Sequence, residues 1–156
     1  MDGKILDSFV SAAVNVLGSE LGTTVTVGAP VVEDAGYSTR GITAMVGVTG
    51  RLKGMVIFGL TESTALALVS QMMGEPYKQL DSVAQSGIAE LGNVIAGSGV
   101  TSLAQTGYQC GITPPAVVIG EKNTITMLNL DRLVVPLETP FGSVEMQLVL
   151  RENGHH

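Results

Sequence analysis

An α+β domain, with a mixed, largely antiparallel β-sheet covered by two or three long helices, is the fold class that this 156-residue sequence predicts. Apolar spacing switches along the chain between a helical period and strand-like alternation. Helical and strand-like segments come in runs rather than in strict βαβ alternation, which argues against a doubly wound parallel sheet. An apolar content of 45% suffices to fill one core of this size. We read residues 1–152 as a single domain and 153–156, Asn-Gly-His-His, as a flexible tail or tag remnant.

Each element has its own warrant. Over about residues 2–21, Ile5, Phe9, Ala13, Val16 and Leu17 lay one apolar stripe along a helix that Gly22 ends. Residues 24–27 alternate, Pro30 interrupts, and Val31 and Val32 resume the pattern, giving one broken strand. Segments 42–48 and 55–60 flank a Gly50-to-Gly54 turn and form a hairpin. Thr61 caps a second helix, with Glu62 in its first turn; Ala65, Leu68, Val69, Met72 and Met73 follow at helical spacing until Gly74 and Pro76 stop it. A long helix then covers about 80–106 and ends near Gly107. Strands return at 116–119 after Pro114 and Pro115, at 124–130, at 133–138 and at 143–150, the last two joined by a turn over 139–142.

A formal charge of −6, with no cluster of basic residues beyond Arg51 and Lys53, disfavours nucleic acid and anionic membranes as partners. Proteins or small molecules remain. The lone cysteine, Cys110, cannot form an intrachain disulfide and fits a reducing compartment, where it reads as a small packed residue. No apolar run is long enough to span a membrane, and the N-terminus lacks the pattern of a secretory leader, so a cytoplasmic location is expected. His155 and His156 lack a third ligand, so no metal site is expected.

Chemistry concentrates on the long helix. On a wheel of about 100° per residue, Leu80, Ala84, Gly87, Leu91, Val94 and Ser98 form the expected core-facing stripe. Beside it run Ser86, Glu90, Asn93 and Gly97, and next to these Ala89, Gly92 and Ala96, where a free surface helix would carry charges. Neither Glu90 nor Asn93 is a strong nucleophile, so the pair suits orienting water and meeting a cation. Ser86 has no histidine before His155 to serve as its base. Internal glycines weaken a helix by about 1 kcal/mol each, and Gly87, Gly92, Gly97 and Gly99 all fall here. Close packing explains such glycines; so does clearance for a docking partner at Gly92 and Gly97. Both accounts are open at this point.

Glu-x-x-Asn alone is too common on helix surfaces to identify a protein. The fuller string is Asp81-x4-Ser86-x3-Glu90-Leu-Gly-Asn93 followed by Ala96-Gly97, and it resembles the signature helix of the CheC, CheX and FliY family of bacterial chemotaxis phosphatases. The likeness is closest to CheX members and covers nearly the whole chain: M-D-x-x-I-L at the start, V-G-V-T-G-x-L-x-G at 46–54, T-A-L-x-L-V-S-x-M-M-G at 64–74 and I-T-P-P-x-V-V-x-G at 112–120. This sequence departs in carrying Gly-Ser-Gly at 97–99 and a single Glu-x-x-Asn, where CheC carries two.

The resemblance implies a CheC-like fold and an enzyme hydrolysing the aspartyl phosphate of a CheY-type receiver domain. It implies that Asn93 positions the attacking water and Glu90 pairs with the receiver's active-site lysine. Ser86, Ala89, Gly92, Ala96 and Gly97 would line the docking face. No cofactor is expected in this chain, because the receiver would bring the Mg²⁺. A homodimer through sheet edges is also implied, with strand 143–150 as an edge. A non-catalytic receiver-binding or flagellar-switch adaptor is the rival reading; retention of both Glu90 and Asn93 favours the enzyme.

Overall fold

The computed structural model describes residues 2–34, 36–126 and 130–153. Helix α1 (Gly3–Leu21) begins where the Asp2 carboxylate accepts a 2.8 Å hydrogen bond from the Lys4 N–H, and stops where Gly22 turns left-handed at φ 66°. The broken strand becomes β1 (Thr26–Val27) and β2 (Val31–Glu33) on either side of Pro30, and β3 (Gly36–Ser38) follows. Strands β4 (Ile42–Gly50) and β5 (Leu52–Leu60) form the hairpin, with Val48 opposite Gly54. Helix α2 (Glu62–Met73) is capped by Thr61 Oγ1, which accepts from the Thr64 N–H at 3.2 Å, and closes at Gly74.

Helix α3 (Ser82–Ala104) is shorter than the sequence predicts at both ends. Asp81 is spent as its cap, accepting from the Ala84 N–H at 2.8 Å, and residues 105–107 unwind into turns. Strands β6 (Cys110–Ile112), β7 (Ala116–Ile119), β8 (Thr124–Thr126), β9 (Arg132–Thr139) and β10 (Gly142–Glu152) complete the chain. The expected strand over 124–130 is formed at Thr124–Thr126 and not at Leu130; positions 127–129 lie outside the described residues. Strands β3 and β6 span three residues each, too few for alternation to announce them.

The main sheet runs β1–β9–β10–β5–β4–β6, with β2 also on β9 and β7 also on β4; β3 and β8 form a separate pair, and every described pairing is antiparallel. Strand β10 is therefore not an edge. Ser143 pairs with Glu138 on one side and Leu148 with Val56 on the other, so both rows of backbone groups are used. Its Glu145 and Gln147 look like outward residues of a half-exposed strand, yet Gln147 is fully buried and accepts from Arg132 Nη1 at 2.7 Å. The free edges belong to β1 and β2 at one side and to β6 and β7 at the other.

All three helices cover one face of the sheet, where Phe9, Leu17, Ile88, Ile95 and Leu103 meet Val56, Phe58, Leu137, Met146 and Leu148. The opposite face holds Tyr37, Ile57 and Val149 beneath the β3–β8 pair. Neighbours in strand register thus serve opposite layers: Val56 and Phe58 face the helices while Ile57 faces away. Asn153 is not part of a loose tail, because its N–H donates to Arg51 O at 2.8 Å and its Nδ2 to Gly50 O at 3.0 Å; the other three tail positions lie outside the described residues.

Candidate active site on the third long helix

Helix α3 is held on two sides, by α1 and by the sheet, and this rotates its buried face away from the one predicted. Ala84, Ile88, Leu91, Ile95, Gly99 and Leu103 point inward, while Ser98 is exposed, Val94 is 43% exposed and Gly87 is half-buried. Gly92 and Ala96 join the inner face. A Cβ at Gly92 would stand 3.1 Å from Phe58 Cδ2 and 3.5 Å from the Ala44 Cβ, and Ala96 is 0% exposed. Neither can touch a docked molecule, so the clearance account of Gly92 is replaced by packing. Gly99 is likewise occupied from within, since a Cβ there would overlap the Phe9 ring.

The polar stripe keeps its outward direction. Ser86 and Glu90 are exposed, Asn93, Ala89 and Gly97 are half-buried, and the residues at 86, 90, 93 and 97 follow one line along the helix. Asn93 Nδ2 approaches Glu90 Oε1 at 3.5 Å, the outer limit of a hydrogen bond. That contact aligns the two groups without locking them. Among the described residues Glu90 has no ion-pair partner; the pairs present join Arg40 to Glu145 and Arg51 to Glu152. Its carboxylate is therefore available to a cation on another molecule.

The groups with displaced pKa values lie elsewhere. Burial pushes the Tyr37 phenol up, and the Lys4 N–H together with the Tyr108 hydroxyl holds the Asp2 carboxyl down. Among the described residues there is no histidine and no cluster of three His, Cys, Asp or Glu side chains able to hold a metal. Cys110 is half-buried in β6, packed against the main core. No helix is long and apolar enough to cross a membrane among the described residues.

One feature beside Glu90 has no counterpart in the helix-by-helix reading of the sequence. An apolar groove opens between α1, α2 and α3, lined in part by Met72 and Met73. Its one sequence signal is that methionine pair, which reads as ordinary helix core until the third helix is seen to leave Met73 52% exposed.

The fold and site define an α+β protein that presents an acid and an amide side by side on the outer face of a helix packed against its sheet. The family described as chemotaxis phosphatase CheX matches residues 42–138. A curated relative, the CheY-P phosphatase CheX of Thermotoga maritima, is 35% identical over 121 residues, covering 77% of this chain and 78% of its own. The chain belongs to the CheX family of chemotaxis phosphatases. Among solved structures, CheX in the CheX–CheY–BeF3–Mg²⁺ complex of Borrelia burgdorferi superposes with a TM-score of 0.82 at 30% identity, over 94% of this chain and 97% of that one. A CheC-like superfamily protein from Shewanella sp. PV-4 reaches 0.88 at 21% identity over 97% and 99%, a likeness of fold.

Proposed function

We propose that this chain hydrolyses the aspartyl phosphate of a CheY-type receiver domain in the cytoplasm. The observation that carries the reading is the outward pair of Glu90 and Asn93, within 3.5 Å of each other on a helix anchored on two sides, in a chain of the CheX family. An acyl phosphate is already reactive, so what it needs is a water in line with the P–O bond. The Asn93 carboxamide can accept from that water while donating elsewhere, which fixes its orientation. Water oxygen then bonds to phosphorus as the bond to the receiver's carboxylate oxygen breaks. Inorganic phosphate and a free aspartate result, and the water's protons pass to phosphate and solvent.

Glu90 is assigned to the receiver's lysine, a charge-assisted contact that pins the helix at the phosphoryl group and draws the lysine into register. The Mg²⁺ is assigned to the receiver, in keeping with the composition of the Borrelia complex. Phosphate release from an acetyl-phosphate-loaded receiver tests the reading. Asn93→Ala should cut turnover by about 10²–10³ with binding retained, whereas Glu90→Ala should weaken both. Equal turnover by wild type and Asn93→Ala overturns the assignment, and binding without accelerated hydrolysis returns the adaptor reading.

A homodimer through a sheet edge is part of the proposal. Its support is the edge strand β2, where Val31 and Val32 are 50% and 65% exposed. Sedimentation equilibrium should give a dimer mass that Val32→Lys halves; a monomeric wild type at the concentrations of the assay rejects it.

A further inference from the structure

The groove beside Glu90 has a volume of about 220 Å³, larger than the ~150 Å³ that accommodates a benzene ring in an engineered cavity. Val16 of α1, Met72 and Met73 of α2 and Val94 of α3 supply its apolar walls, and the two exposed acids Glu20 and Glu90 stand at its rim, with no lysine or arginine among the described residues that line it. Met73 and Val94 are 52% and 43% exposed, and both line this one groove.

Gly87 supplies an independent observation. The other buried glycines of α3 are demanded by the fold: Phe58 sits over Gly92 and Phe9 against Gly99. At Gly87 a Cβ would lie 3.6 Å from Val69 Cγ2 and 3.9 Å from Met72 Cε, which is ordinary contact. Alanine fits there and favours a helix over glycine. Nothing inside the protein excludes a methyl there; Gly97, whose Cβ would meet only Ile112 Cδ1 at 3.6 Å, shares that freedom, but of the two only Gly87 lines the groove, which its missing Cβ keeps open.

We propose that this groove receives one apolar side chain, of about leucine or methionine size, from the phosphorylated receiver, while Glu20 and Glu90 meet lysine or arginine side chains flanking it. The inference rests on the function proposed above and names what selects the partner. Glu90 belongs to both the reactive pair and the groove, so the two surfaces are continuous, and the acidic rim fits a cationic neighbour. The groove thus adds to affinity and choice of receiver, Glu90 contributes to both binding and turnover, and Asn93 to turnover.

Purified CheY-type receivers phosphorylated with acetyl phosphate provide the test, read as KM and kcat separately alongside melting temperature. Gly87→Ala should raise the melting temperature by roughly 2–4 °C and yet raise KM about ten-fold, with kcat little changed. Val94→Ser should raise KM without the gain in melting temperature. Unchanged KM in both variants, with wild type active, overturns the groove while leaving the phosphatase standing. Should wild type fail to accelerate hydrolysis, the proposed reaction falls, and binding of beryllofluoride-loaded receivers decides the groove by itself: a ten-fold loss in Gly87→Ala supports it and equal affinity overturns it.

Discussion

Replacing Gly99 by alanine sets two effects against each other at one atom. Alanine in place of an internal helix glycine should stabilise by about 1 kcal/mol. The added methyl, however, overlaps two carbons of the Phe9 ring, which is 0% exposed and has nowhere to retreat. Overpacking of this kind costs roughly 1–3 kcal/mol or more as the helices spread. The added methyl falls well inside contact distance of a ring carbon, so the cost should lie toward the upper end of that range and leave Gly99→Ala destabilised by up to about 2 kcal/mol, a fall of as much as roughly 8 °C in melting temperature for a chain of this length. Phe9→Leu removes the ring and by itself costs on the order of 1–2 kcal/mol. In the double variant the methyl has room and its helix preference returns, so the two changes should couple by about 2 kcal/mol. Urea melts of the four proteins, with unchanged m-values as the check on two-state behaviour, measure that coupling. Strictly additive losses would refute the claim that Phe9 is what requires a glycine at 99.

Three further outcomes follow from other parts of the structure. Glu90→Gln should raise KM about three- to ten-fold and flatten its dependence on ionic strength if, as proposed, the lost charge meets the receiver's cation; an unaltered salt profile contradicts the pairing. Gln147→Leu should cost about 1–3 kcal/mol in urea unfolding, since it strips a partner from Arg132, which is 8% exposed and otherwise held by Asp34 O; a neutral effect would mean that Arg132 finds water. Asp2 carries its pKa below the ordinary 3.8 because the charged form accepts from Lys4 N–H and Tyr108, so its stabilisation is complete above that value and vanishes as pH falls through the lower folded value. The penalty of Asp2→Ala should therefore be present at neutral pH and close in acid, and a pH-independent penalty would exclude the carboxylate as its source.

What the sequence discloses and what it hides divide along local and non-local lines. Helix caps are local, and Gly22, Thr61 and Gly74 stand where their residue types place them, whereas Asp2 and Asp81, read as helix residues, prove to be the caps just ahead of α1 and α3. The facing of α3 is not local. Small or apolar residues occur on most of its sides, and the choice between a face on Val94 and one on Ile95 is made by α1 and the sheet together. The central place of β10 is hidden for a similar reason: the partner that allows Gln147 to be buried is Arg132, on the preceding strand. Glu90 and Asn93 were visible because helical spacing alone puts them side by side, whereas the groove is assembled from three helices and has no contiguous signature.

The burial of Gly92 and Ala96 turns an apparent loss of docking surface into an account of precision. In the proposed reaction one carboxylate and one amide contribute no covalent chemistry, so the rate enhancement would depend on where those groups are held, and misplacement by an ångström can cost two orders of magnitude. Long polar side chains on a freely exposed helix would not meet that demand. Here Gly92 lets Phe58 and Ala44 approach the helix directly beneath the Glu90–Asn93 turn, Gly99 lets Phe9 do so farther along, and Asp81 caps the start. The glycines that weaken α3 as an isolated helix thus bring it close to its supports, and the backbone bearing Glu90 and Asn93 is fixed from below while their side chains remain free above. Gly87 and Gly97 meet their internal neighbours only at ordinary contact distance, and of the two it is Gly87 that borders the groove next to Glu90.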